Sequence, residues 1–300
     1  MFNALCFGAI LWDIVEEEKR IGGAPFNFAA HLSKLGLSSY LYTRIGSSSG
    51  DVETMNQLVE KGVNTEFVQR DTFRETGYSK IQLDDNRVPV YQFCKNGTHE
   101  YIDVTPEIID SIRQKEFQLF YYGTFCQRGS VTRNSLQTIM QSCTFPVTIF
   151  DINLREPYPD FTILQPLLKY TDILKLNEDE LIYISKLFLD DYSDFQESVL
   201  KIKEIFGIKI VCITKGPDGS TVFDEINNRY DLSVEHVEIV DTVGAGDAFC
   251  AGFVFAYLNG NSIPTCAQFA NALGGFVCTR KEAVPEYPIT IKKMIEKLEA

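Results

Sequence analysis

Residues 241–249 read D-T-V-G-A-G-D-A-F, placing three small residues directly before a carboxylate. Gly244, Ala245 and Gly246 let the backbone turn close to a ligand. The helical pattern that follows makes this turn a helix N-terminus, whose open N–H groups attract an anion. Phe249, Gly252, Phe253 and Ala256 recur at i, i+3, i+4 and i+7, so the spacing predicts a helix held by one apolar face. Asp247 then sits in the first turn, beside a cradle for negative charge. That pairing has a chemical use: the carboxylate takes a proton from a hydroxyl as it attacks a phosphoryl group held by the same N–H groups. A Gly/Ala turn before a helix is also a common structural device, so the other polar residues must bear on the choice.

Near the start of the chain, residues 22–29 read G-G-A-P-F-N-F-A. Gly22 and Gly23 permit unusual backbone angles. Pro25 suits a first helical turn with Phe28, Leu32 and Leu35 on its buried face, and Asn27 lies one turn in. Upstream, the apolar run 3–10, with Gly8 at its end, reads as a central parallel strand that Trp12, Asp13 and Ile14 continue. Asp13 is thereby expected at the carboxyl end of that strand, facing the crevice in which α/β sheets bind ligands, with Gly23 and Asn27 nearby. A carboxylate and an amide suit vicinal hydroxyls, because both accept and the amide also donates. The plain alternative is a strand-loop-helix connection with a solvated Asp13.

Other polar clusters close later strands. In D-I-N-L-R, Asp151, Asn153 and Arg155 are spaced by two along an extended run, which points their side chains to one side. Arg155 suits a bidentate clamp on phosphate, or else an exposed pair with Glu156 or Asp151. Asn177, Glu178, Asp179 and Glu180 open a helix, where acidic residues complement the dipole. Thr214 to Gly219, T-K-G-P-D-G, read as a strand end and a turn.

The elements that must position these groups follow from periodicity. From residue 106 onward, helices at 106–116, 130–141 and 161–169 alternate with strands at 119–123, 146–153, 172–176 and 209–214, which implies parallel strands with right-handed crossovers. Residues 220–223 and 229–234 read as antiparallel edge strands. Residues 39–45 read as another strand, followed by the loop 46–50 and a helix at 51–60. Runs 76–83 and 88–93, joined across 84–87, have the chemistry of a β-hairpin, which is out of place in an α/β series.

The two glycine-rich strings, together and in this order, resemble the signatures of the ribokinase-like (PfkB) family of carbohydrate kinases, and the resemblance covers nearly the whole chain. It implies a single three-layer α/β sandwich over 1–300, with a mostly parallel central sheet and a small β lid formed by about 11–21 and 76–103. It implies ATP-dependent phosphorylation of a sugar. In this reading Asp247 is the base, Gly244, Ala245 and Gly246 form the anion hole, Arg155 lies near the transferred group, and Asp13, Gly23 and Asn27 bind the sugar. Thr214, Gly216 and Gly219 form the nucleotide turn, with Asn271, Ala272 and Gly275 flanking adenine. Asn177 and Glu180 match an N-x-x-E motif in which Glu180 positions Mg2+ through water, and one carboxylate suffices because Mg2+ keeps most of its waters. The segment 280–283 lies where the family often binds a monovalent cation such as K+ through backbone carbonyls. G-G-A-P and D-x-N-x-R are typical of the fructokinases, so D-fructose is the expected acceptor; 2-keto-3-deoxygluconate, ribose, a nucleoside, or an inactive sugar-binding member are the alternatives. The lid implies a homodimer. This chain departs from the family at Ala9, where Glu is usual, and at Ser47, Ser48 and Ser49, where the loop usually holds an Asp; both bear on the sugar pocket.

Composition narrows the field further. A chain of 300 residues with 45% hydrophobic content can bury a large core, and a formal charge of −13 argues against a nucleic-acid partner. The eight cysteines form no C-x-x-C pair and mostly sit in apolar runs, as reduced core thiols do. No signal peptide or membrane-spanning run is legible, so the expected location is the cytoplasm. His31, His99 and His236 are widely separated and are read as surface or supporting residues. Gly8 does not begin a G-x-G-x-x-G turn, which disfavours dinucleotide chemistry.

Overall fold

The computed structural model describes residues 2–15, 18–47, 49–83, 89–189 and 194–299. The amino-terminal part runs β1 (Asn3–Phe7), β2 (Leu11–Val15), β3 (Glu18–Gly22), α1 (Ala24–Lys34), β4 (Ser38–Ile45), α2 (Ser49–Glu60), β5 (Val68–Arg70), β6 (Tyr78–Leu83) and β7 (Pro89–Phe93). The alternating part follows with α3 (Pro106–Gln114), β8 (Leu119–Gly123), α4 (Ser130–Ser142), β9 (Val147–Asp151), α5 (Phe161–Leu168), β10 (Ile173–Asn177), α6 (Glu178–Phe188), α7 (Phe195–Phe206) and β11 (Ile210–Thr214). The chain ends with β12 (Ser220–Phe223), β13 (Arg229–Leu232), α8 (Ala245–Leu258), α9 (Ile263–Cys278) and α10 (Ile289–Leu298).

Among the described residues the strands form a nine-stranded sheet, ordered β13-β12-β11-β10-β9-β8-β1-β4-β5, and a four-stranded sheet, β3-β2-β6-β7. The large sheet is parallel except for the β12 and β13 edge, as expected from the sequence. Successive residues of a strand point to opposite faces, and here both faces are covered. Cys6, Tyr121, Ile149 and Cys212 pack toward α1, α8, α9 and α10, while Phe7, Tyr122, Phe150 and Val211 pack toward α3 to α7. The result is a three-layer α/β sandwich with a second, small sheet. No helix of the described residues is long and apolar enough to cross a membrane.

Three local expectations are corrected. The first strand does not run on through Asp13. It stops at Phe7, and the chain bends at Gly8 (φ +143°), where a Cβ would lie 2.7 Å from Pro25 Cγ. Residues 11–15 therefore leave the central sheet and pair with β3 and β6, putting Asp13 on the small sheet. The extended run at D-I-N-L-R also ends early, at Asp151. Asn153 has φ +44°, so the alternation of sides does not carry to Arg155. Finally, α8 is buried on all sides from Asp247 to Ala256, because it lies between α1 and α9.

β6 and β7 form the expected antiparallel hairpin, though its turn at 84–88 lies outside the described residues, as do Glu16, Glu17 and Ser48. Of the cysteines, Cys6, Cys126, Cys212, Cys250 and Cys266 are buried, and Cys94, Cys143 and Cys278 are half-buried. His31 and His99 are core residues rather than surface ones.

Candidate active site

The start of α8 is a bare turn. Gly244 is its N-cap residue, at φ +81°, and no side chain caps it. A Cβ there would stand 2.6 Å from the Ala283 Cβ, so only glycine lets the 280s segment pack against the turn. Ala245 N–H bends back to the Thr242 carbonyl at 3.3 Å, and Ala248 N–H bonds the Gly244 carbonyl at 2.9 Å. Between them, Gly246 and Asp247 carry the N–H groups that a helix start leaves open. Ala283 is itself anchored, because its carbonyl accepts from His31 Nε2 at 2.9 Å while His31 Nδ1 meets the Tyr287 hydroxyl at 2.7 Å.

Asp247 is 8% exposed, and its Oδ2 accepts from Asn27 Nδ2 at 2.8 Å. The two glycine-rich strings, 220 residues apart in sequence, therefore meet at one carboxylate. Gly23, at φ +105°, forms the N-cap that starts α1, and its carbonyl accepts the Asn27 N–H at 2.9 Å. Burial pushes the Asp247 carboxyl up to about 6. The Asp151 charge adds to the rise, and the Asn27 hydrogen bond, Lys175 and Arg155 oppose it.

Below this turn lies a buried ion pair. Lys175 Nζ, from the middle of β10, is 3.0 Å from Asp151 Oδ1, and the Tyr121 hydroxyl donates to Asp151 Oδ2 at 3.3 Å. The sequence reading passed over Lys175. Its signal is a single lysine inside the buried run I-L-K-L, where a charge persists only with a partner.

Glu180 and Asn177 form a capping box. Asn177 Oδ1 accepts the Glu180 N–H, and Glu180 Oε2 accepts the Asn177 N–H, each at 2.8 Å. Glu180 Oε1 accepts from Leu154 N–H at 2.8 Å, which ties the loop carrying Arg155 to the start of α6. Burial raises the Glu180 carboxyl, with Lys175 opposing the rise.

A cavity of about 480 Å3 gathers most of the expected residues: Asp13, Gly23, Asn27, Arg155, Asn177, Glu180, Thr214, Gly216, Gly244, Gly246 and Asp247. Asp13 enters from β2 and accepts a hydrogen bond from Ser79 Oγ; burial raises its carboxyl, with Ser79 and Arg155 opposing. The Arg155 charge thus acts on both Asp13 and Asp247. One wall is apolar, built from Ala9, Leu11, Phe93 and Phe125, with the two rings 4.6 Å apart. Ala245 is not in the lining. Nor are Gly219 and Asn271, and both of these lean on the Leu232 carbonyl: a Cβ at Gly219 would strike it, and Asn271 Nδ2 donates to it at 3.2 Å. Asp51 places a buried carboxylate beside Gly46; it accepts from Thr76 and lines a neighbouring cavity that shares Asp13 and Val243 with this one.

The profile described as pfkB family carbohydrate kinase matches residues 9–290. The chain belongs to the pfkB family of carbohydrate kinases. An uncharacterized sugar kinase of Archaeoglobus fulgidus is 30% identical over 254 residues, which span 83% of this chain and 93% of that protein. A probable chloroplastic fructokinase-6 of Arabidopsis thaliana is 25% identical over 314 residues, covering 95% of this chain and 79% of the relative. In three dimensions, the fructokinase of Vibrio cholerae O395 in its fructose, ADP and calcium-bound form superposes with a TM-score of 0.83 at 21% identity, over 98% of this chain and 99% of that one. This pfkB-family kinase therefore keeps the fold of its relatives, and its two signature strings meet inside a single cavity.

Proposed function

We propose that this carbohydrate kinase transfers the γ-phosphoryl group of ATP to D-fructose, giving fructose 6-phosphate. The observation that carries the reading is the Asn27 to Asp247 contact of 2.8 Å, which brings the sugar-side string to the phosphate-side string. Asp247, with its pKa near 6, is largely ionised at pH 7 and takes the proton of the attacking hydroxyl. The N–H groups of Gly246 and Asp247 and the Arg155 guanidinium offset charge on the phosphoryl oxygens. Asp13, Gly23 and Asn27 orient the sugar. The nucleotide lies toward Asn177, Thr214 and Gly216; Gly216 (φ +56°) has open space where a Cβ would be, so a ligand can come close. Gly219 and Asn271 support this wall from behind.

The donor set fits magnesium. Each Glu180 oxygen accepts one backbone N–H and keeps a lone pair for a metal-bound water, so Glu180 would hold the ion, which supplies charge neutralisation at the nucleotide phosphates. The 280–283 segment fits K+ less well. The Lys281 and Ala283 carbonyls already accept from Arg20 and His31, and no step is assigned to a monovalent cation.

Fructose is supported by G-G-A-P and by the plant relative's name. The apolar wall at Ala9, Leu11, Phe93 and Phe125 favours a second reading, an acceptor with fewer hydroxyls on that side, such as 2-keto-3-deoxygluconate. An ADP-release assay over a sugar panel separates the two: preference for fructose supports the first reading, and turnover confined to another acceptor overturns it. In the same assay Asp247→Asn should lower turnover by roughly 10²- to 10⁴-fold with sugar binding retained.

A further inference from the structure

Among the described residues, Lys175 is the one charged side chain lining the cavity that the proposed chemistry leaves unused. A lysine is seldom buried in the middle of a parallel strand, because removing its charge from water costs several kcal/mol. Here the side chain is 10% exposed and its Asp151 partner fully buried, yet the ammonium reaches the cavity that holds Asp247. It lies directly beneath the turn, since a Cβ on Gly246 would stand 3.0 Å from Lys175 Nζ. Gly246 is therefore small for two reasons: its N–H faces the anion site, and its missing side chain admits a cation from below.

The groups around Asp247 show how much depends on that cation. From β9 comes the Asp151 carboxylate, from β8 the Tyr121 hydroxyl, from α1 the neutral Asn27 amide and from α8 the Cys250 thiol. The loop after β9 brings Arg155, and Glu180 of α6 faces Lys175. Lys175 is thus the buried cation beneath Asp151, Glu180 and Asp247. A nucleotide phosphate brings still more negative charge to the same place.

We propose that Lys175 is a positioning residue for phosphoryl transfer: its ammonium, held by Asp151 under the Gly246 turn, gives the phosphate site a positive floor. The inference rests on the reading of Asp247 as the base. The ordinary alternative makes Lys175 only a counter-ion that lets Asp151 stay buried.

Three variants of the full chain separate these roles in the ADP-release assay from pH 5.5 to 9, with thermal melts to check folding. Lys175→Met should lower kcat by about 100-fold, the scale of losing one preorganised donor, with the sugar KM little changed. Its acid limb should also move up by about one pH unit, equivalent to a tenfold weaker ionisation of Asp247 at a given pH. Lys175→Arg should recover most of the rate. The double variant Asp151→Asn with Lys175→Met removes both members of the ion pair together, so neither is left buried without the other, and thermal melts report whether it folds where the single variant does not. It should still lose at least about tenfold in kcat. Wild-type kcat in the double variant, or an unmoved acid limb in folded Lys175→Met, overturns the proposal. Asp247→Asn, run alongside, distinguishes the two readings. Unchanged turnover there removes the base assignment, while the double variant still reports on the phosphate floor.

Discussion

Replacing Gly244 by Ala tests the anion hole at its tightest point. The residue sits at φ +81° and ψ −7°, a left-handed conformation that costs a residue with a Cβ about 1–2 kcal/mol. The new Cβ would also meet Ala283 Cβ at 2.6 Å, its Cα at 2.8 Å and its carbonyl oxygen at 2.9 Å. Ala283 cannot simply withdraw, because His31 holds its carbonyl at 2.9 Å. Overpacking of this kind adds about 1–3 kcal/mol, for a total of roughly 2–5 kcal/mol. At about 2–4 °C per kcal/mol, that corresponds to a melting temperature lower by on the order of 4–20 °C. If the turn instead opens to relieve the clash, the Gly246 and Asp247 N–H groups move off the phosphoryl site and kcat falls by about 10²- to 10³-fold.

Gly216→Ala is the control. Gly216 lines the same cavity at φ +56°, but nothing lies within 4 Å of its absent Cβ, so only the backbone cost of about 1–2 kcal/mol applies. Differential scanning fluorimetry and the ADP-release assay read both variants. A Gly244→Ala enzyme with native melting temperature and native kcat would refute the argument. So would a Gly216→Ala enzyme whose melting temperature falls equally; its turnover is not the control, because Gly216 lines the proposed nucleotide site.

Two pH dependences follow from buried groups. The Asp247 carboxyl, raised to about 6, is protonated below that pH and cannot act as a base, so kcat/KM should level off above pH 7 and fall toward pH 5; a flat profile down to pH 5 would count against Asp247. His31 and His99 are both pushed down to about 4 by burial, whereas an unfolded histidine takes its proton near 6.5. The unfolded chain then binds more protons between these values, so stability is full above pH 6.5 and is lost as pH falls toward 4, by up to ~3 kcal/mol per histidine. Melting temperatures measured from pH 7 to pH 4.5 should fall, and less steeply in His99→Leu; a constant melting temperature would be inconsistent with these buried neutral rings.

Much of the site was legible because its signals are local. The bare turn at Gly244, the helix start at Asn177 to Glu180, and the strand-helix alternation after residue 106 each depend on neighbours within a few positions. Period-2 and period-3.6 patterns report on those directly. The misreadings came where a local pattern stayed compatible with another partner. Asp13 follows an apolar run, and only the bend at Gly8 shows that it belongs to the small sheet. Phe249, Gly252, Phe253 and Ala256 describe one face of α8 correctly, but burial of the opposite face depends on α1 and α9. Gly219 and Asn271, expected at the nucleotide by motif position, are not misreadings; in the fold both pack against the Leu232 carbonyl, outside the cavity lining.

By itself the sequence determined the chemical inventory: a turn that needs glycine, a carboxylate one step into a helix, an amide one turn into another, and strands long enough to present them. Tertiary structure decided which of these groups share an environment. Asn27 reaches Asp247, Lys175 lies under Gly246, and burial raises the Asp247 carboxyl only because helices and strands far apart in the chain converge. Hydrogen-bond geometry and desolvation depend on distance through space, and spacing along the chain does not encode that distance.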